Sequence, residues 1–138
     1  MAARYYVDTS AYLCVLLREA QSSELERQFA GADLLSSVLL ALEATRNLVR
    51  LARESLLSSQ ELQLCLERLT VDLEQFALRD LTLDLCRGLV LPVASTPRSL
   101  DLAHLRTALW FHQREPLTRF VTLDADQRDS AREMGLPV

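Results

Sequence analysis

The sequence predicts an α/β fold, a three-layer α/β/α sandwich around a central parallel sheet of four or five strands. Two observations lead there. Short β-branched and aromatic runs alternate with longer stretches of helical periodicity. The chain has 138 residues, 49% hydrophobic and 25% charged, which suits one domain over residues 1–138 with a buried core. No internal repeat, linker or low-complexity segment divides it.

Each element has its own warrant. Arg4-Tyr5-Tyr6-Val7 is the first strand, and it stops at Asp8-Thr9-Ser10, where Thr9 or Ser10 can cap a helix through Leu13, Leu16 and Leu17. Ser23 followed by Glu26 is a capping-box pattern that opens a second helix, ended before Gly31. Asp33 to Ser36 is a brief strand. From Ser37, the apolar positions Leu39, Leu40, Leu42, Leu48, Leu51 and Ala52 mark a long helix. Ser58 with Glu61 repeats the capping-box pattern before a helix through Leu62, Leu66, Leu69 and Leu73. Glu74 to Leu78 is the third strand, and a helix from Asp80 to Arg87 is closed by Gly88. Pro92 to Ser99 is a loop leading into a helix over Leu100 to Phe111. Arg119 to Leu123 is the last strand, and Asp126 to Met134 is the final helix, ended by Gly135 and Pro137.

Composition excludes several chemistries. The formal charge is −4, and all 15 basic residues are Arg. Without lysine there is no Walker-type phosphate loop, no Schiff-base enzyme, no kinase lysine and no receiver-domain signalling site. The glycines Gly31, Gly88 and Gly135 are too far apart to form a Gly-rich cradle for a dinucleotide. Cys14, Cys65 and Cys86 lack metal-site spacing and sit among leucines, which predicts reduced, buried thiols. No apolar run reaches the roughly 18 residues of a membrane span, and Met1 to Asp8 lacks a signal-peptide pattern, so a cytoplasmic protein is expected.

The acids are placed unevenly. Asp8 and Asp124 each follow a predicted strand, at the sheet edge where α/β proteins bind ligands. Glu43 stands alone in the apolar run Ser37 to Ala44, where an isolated carboxylate is costly unless partnered. Arg46, three residues on, is an in-helix partner for it. Asp101 lies in the first turn of its helix, where the helix dipole also accounts for an acid. Four carboxylates at one edge repel unless cations neutralise them, and Mg²⁺ or Mn²⁺ with oxygen ligands meets that need. Such ions activate water and stabilise the leaving oxygen in phosphodiester cleavage.

The blocks Val7-Asp8-Thr9-Ser10-Ala11, Ser36 to Arg46, Leu100-Asp101-Leu102-Ala103-His104-Leu105 and Val121-Thr122-Leu123-Asp124 resemble a PIN domain in composition and order. The chain is most similar to the VapC group of bacterial toxin endoribonucleases of type II toxin-antitoxin systems, from Arg4 to Leu136. The resemblance implies that Asp8, Glu43, Asp101 and Asp124 are the catalytic, metal-binding carboxylates, holding one or two Mg²⁺ or Mn²⁺ ions. Asp8 and Asp101 would be direct ligands. Asp124 has the most variable role, and Asp126 is an alternative to complete the site. The implied reaction is hydrolysis of RNA leaving 5′-phosphate and 3′-hydroxyl ends. The implied partners are an RNA substrate, a second copy of the chain and a cognate antitoxin that covers the groove. A housekeeping PIN nuclease of RNA maturation and a PIN-fold binding module without catalysis are the alternatives.

Accessory roles follow from position. The hydroxyls of Thr9 and Thr122 flank two acids and can orient a carboxylate or the attacking water. His104, three residues after Asp101, either supports an acid or packs in the core. Arg46 and Arg106 are candidates for phosphate contact in a protein whose charge otherwise opposes nucleic acid. The Leu-rich helices between Leu13 and Leu73 carry more apolar surface than one small core needs, and leave faces for partners.

Overall fold

Parallel strands require long crossovers, and the helical stretches between the predicted strands supply them. The computed structural model describes residues 1–88, 94–95 and 98–138. Strands β1 (Arg4–Val7), β2 (Asp33–Ser37), β3 (Phe76–Arg79) and β4 (Arg119–Val121) form one all-parallel sheet in the order β3-β2-β1-β4. Among the described residues seven helices flank it: α1 (Thr9–Leu16), α2 (Ser22–Phe29), α3 (Leu39–Arg53), α4 (Ser59–Leu73), α5 (Leu83–Cys86), α6 (Ser99–Arg114) and α7 (Ala125–Glu133). This is the expected α/β/α sandwich.

Strand alternation divides the core in two. Tyr5, Val7, Leu34, Phe76 and Val121 point to the layer of α1 to α4, where Leu40, Ala44, Leu48 and Leu69 meet them. Tyr6, Leu35 and Phe120 point to the other layer, against Leu85 of α5, Leu105, Ala108 and Leu109 of α6 and Ala131 of α7. Truncating a fully buried residue such as Leu48 to Ala costs about 2–5 kcal/mol.

The element ends refine the expectations. Helix α1 is capped by Asp8, whose side chain accepts from the Ala11 amide, instead of by Thr9 or Ser10. Helix α2 starts at Ser22 after an uncapped Gln21, so the Ser23–Glu26 box does not form. The Ser58–Glu61 box does, with both bonds at 3.0 Å. Strand β3 starts at Phe76 because Glu74 and Gln75 still close the end of α4 through bonds to Val71 and Asp72. The fifth helix is shorter than expected, and the sixth runs on to Arg114. Strand β4 stops at Val121 because the amides of Leu123 and Asp124 turn to the hydroxyls of Ser10 and Thr122. Gly135, at φ +82°, ends α7 with its amide on the Arg132 carbonyl and that of Leu136 on Ala131.

The loop expected over Pro92 to Ser99 lies largely outside the described residues, Pro92 and Pro97 included. All three cysteines are free, but only Cys14 is buried; Cys65 is half-buried and Cys86 exposed. Among the described residues no helix is long and apolar enough to cross a membrane.

Candidate active site

From β1 the chain steps outward to β2 and β3, then returns to β4 on the opposite side of β1. The carboxyl ends of β1 and β4 therefore form a topological switch point, where α/β sheets open a crevice. Asp8 leaves β1 there and Asp124 follows β4, with the Asp8 amide donating to the Val121 carbonyl at 3.1 Å.

Asp8 is only 5% exposed. Its Oδ1 accepts from the Ser10 hydroxyl at 2.7 Å and the Ala11 amide at 3.2 Å, and its Oδ2 accepts from the Thr122 hydroxyl. Burial raises the Asp8 carboxyl pKa above the ordinary aspartate value, although Thr122, Ser10 and Ala11 each oppose the shift.

Glu43 projects from α3 toward the same edge and is held across the fold. Its Oε1 lies 2.6 Å from Nε2 of His104 and accepts from the Thr9 hydroxyl at 3.0 Å. His104 is 2% exposed, and its Nδ1 lies 2.8 Å from the Tyr6 hydroxyl. A ring protonated on Nε2 satisfies both contacts: Nε2–H donates to Glu43, and Nδ1 accepts from Tyr6. Burial alone would raise the Glu43 pKa, but the hydrogen bonds from His104 and Thr9 hold it below the ordinary value. Tyr6 is pushed well above the ordinary phenol range by burial, and stays a neutral donor.

The other two acids are half-buried. Asp101 sits in the first turn of α6, and Asp124 caps α7 by accepting from the amides of Asp126 and Gln127 at 2.9 and 3.2 Å. One guanidinium spans both: Arg98 places Nε 3.4 Å from Asp101 Oδ2 and Nη2 3.7 Å from Asp124 Oδ2. Burial raises the Asp101 pKa; Arg98 pulls it down, and the charges of Asp124 and Glu43 push it up again. Gln127 braces this side by donating from Nε2 to the Asp101 carbonyl at 3.0 Å, while its buried Oε1 has no hydrogen-bond partner among the described residues.

The four acids expected from four separate blocks thus meet at one edge, with Thr9, Thr122 and His104 among them. His104 is both buried and the main partner of an acid. Arg46 does not take that part: it is exposed on α3, beside Val49, Arg50, Arg53 and Glu54. Arg106 requires a correction. It is 3% exposed and its Nη2 donates to the Arg87 carbonyl, because its place on α6 turns it inward, so it does not present a phosphate contact. Asp126 is exposed, and Asp129 pairs with Arg132 at 3.1 Å.

Four participants were not anticipated at the site: Tyr6, Ser10, Arg98 and Gln127. Only Arg98 had a local signal, standing three residues before Asp101 at helical pairing distance.

Among the described residues no three His, Cys, Asp or Glu side chains form a ready-made metal cage. The donor chemistry nevertheless fits a hard divalent ion, since all four acids offer oxygen alone. Asp101 and Asp124 already share one cation, Arg98, across 3.4 and 3.7 Å. Asp8, Asp101 and Asp124 would hold the ion, with Glu43 fixed beside them by His104.

No family model matches the chain, and no curated protein sequence matches it.

Proposed function

We propose that the chain is a Mg²⁺- or Mn²⁺-dependent endoribonuclease of the PIN type, acting as a toxin restrained by a cognate antitoxin. The observation that carries the reading is the meeting of Asp8, Glu43, Asp101 and Asp124 at the β1–β4 switch point, with one cation across the outer two.

When bound, the metal supplies activation of water and neutralisation of charge developing on the phosphate and leaving oxygen. The chain's own residues supply position. The hydroxyls of Ser10 and Thr122 and the Ala11 amide fix both oxygens of Asp8. His104 and Thr9 together fix Oε1 of Glu43. In-line attack by water on an RNA phosphodiester then needs no ribose 2′-hydroxyl and leaves 5′-phosphate and 3′-hydroxyl ends.

Partner binding is supported by apolar side chains left in solvent. Leu42 and Val49 lie seven residues apart on α3, as do Leu64 and Val71 on α4, so each pair shares a helix face. Such faces suit a second copy of the chain and an antitoxin.

The test is purification with and without the neighbouring gene's product, followed by mapping of RNA ends with and without Mg²⁺. The reading expects metal-dependent 5′-phosphate ends, silenced by the partner and by Asp8→Ala. Products with 2′,3′-cyclic phosphate, or cleavage unchanged in both Asp8→Ala and Asp101→Ala, contradict it.

A further inference from the structure

We infer that Arg98 has two alternating partners: the Asp101 and Asp124 carboxylates, with which it pairs, and the scissile phosphate of a bound RNA. The inference rests on the nuclease reading above and assigns a substrate contact that the four acids do not provide.

Arg98 precedes α6 in extended conformation, at φ −121° and ψ 133°, and makes no side-chain cap to the helix. Its side chain is 69% exposed, although its charged end reaches two carboxylates. Ion pairs of exposed side chains in water are weak and exchangeable, so the guanidinium leaves them readily. It has reason to leave. A divalent ion held by the carboxylates of Asp101 and Asp124 would compete with Arg98 for them and repel a guanidinium beside it.

Once displaced, Arg98 remains tethered at the first turn of the helix that carries Asp101. A phosphodiester drawn to the metal presents non-bridging oxygens within that neighbourhood. Guanidinium matches such oxygens with paired N–H donors, better than the carboxylates it gave up once these bind the metal. Arg46 is exposed farther along α3, and Arg106 is turned into the protein. Among the described residues Arg98 is the arginine whose ion pairs reach two of the four acids.

The two partners give opposite signs to one substitution. Removing Arg98 removes a competitor for the metal and, at the same time, a donor to the phosphate. Arg98→Ala should bind Mn²⁺ about fivefold more tightly at low salt, read by electron paramagnetic resonance. It should cleave RNA about 10²-fold more slowly in single turnovers at saturating metal. Arg98→Lys keeps the charge but loses the fork, and should show near-native Mn²⁺ affinity with cleavage between the two. A residue that merely shaped the loop would move binding and cleavage in the same direction. Unchanged or weaker Mn²⁺ binding in Arg98→Ala, or cleavage at the native rate, overturns the inference while the nuclease reading stands. If the native chain neither binds Mn²⁺ nor cleaves RNA, the nuclease reading fails and this inference falls with it.

Discussion

The two halves of the acidic edge are held by different means. Asp8 is buried and Glu43 half-buried, and their oxygens are engaged by hydroxyls, an amide and a buried histidine. Asp101 and Asp124 are half-buried and share one exposed arginine through their Oδ2 atoms, while Asp124 Oδ1 caps α7. The inner pair is built into the fold, since Asp8 caps α1 and Glu43 ties α3 to α6 through His104. The Oδ2 oxygens of the outer pair, Asp101 and Asp124, are held by a cation that can exchange. Under the proposed function the two kinds of support would differ in role, fixed carboxylates holding geometry and exchangeable charge standing beside them.

The comparison breaks most visibly at Asp8. Asp8→Asn should reduce cleavage at least about 10³-fold, since a ligand and its charge are lost together. The metal-free protein should become more stable at neutral pH. Burial raises the Asp8 pKa, so its favourable contribution is present below the unfolded aspartate value of about 3.9 and is lost as pH rises through the folded value. Thermal unfolding in chelator should therefore show the variant gaining on the native chain from pH 4 to pH 8. A native chain that is more stable at pH 8 contradicts the burial cost assigned to the Asp8 carboxylate.

His104 comes next. His104→Ala removes the partners of Glu43 and of the buried Tyr6 hydroxyl, and should cost about 1–3 kcal/mol in urea unfolding. Metal affinity or cleavage should fall about 10–100-fold. Glu43→Gln isolates the electrostatic part, with a sign opposite to that of Asp8. The lowered Glu43 pKa means stability present above the unfolded glutamate value of about 4.3 and lost as pH falls through the folded value. The deficit of Glu43→Gln should be largest at neutral pH and shrink in acid. A deficit independent of pH would show that packing alone decides it.

These partners also mark what could be read from the sequence. Local pattern revealed the strands, because Tyr5-Tyr6-Val7 and Phe120-Val121 alternate between two cores. It revealed Asp8 and Asp124 as well, because strand ends carry sites in parallel sheets. The partner of Glu43 could not be read locally, since His104 is 61 residues away and meets it only through packing of α6 against the sheet. Arg46 and Arg106 were equivalent as charges in the sequence. Helix rotation turns one to solvent and the other to the Arg87 carbonyl. Arg98 was legible by spacing to Asp101, but its reach to Asp124 depends on α7 starting beside α6.

Two smaller substitutions sharpen the outer half. Asp124→Ala should lose about 1 kcal/mol by uncapping α7, whereas Asp124→Asn should keep the cap and lose only the site function. Equal stability losses in both would remove the cap from the account. Ser58→Ala should likewise cost about 1 kcal/mol through the α4 capping box, with cleavage unchanged, and serves as the stability control.

The central claim is that inner and outer acids share a divalent ion, and Mn²⁺ titration followed by electron paramagnetic resonance tests it most directly. The native chain should bind Mn²⁺, and Asp8→Asn and Asp101→Asn should each weaken that binding at least about tenfold. Equal binding by the native chain and both variants would contradict it.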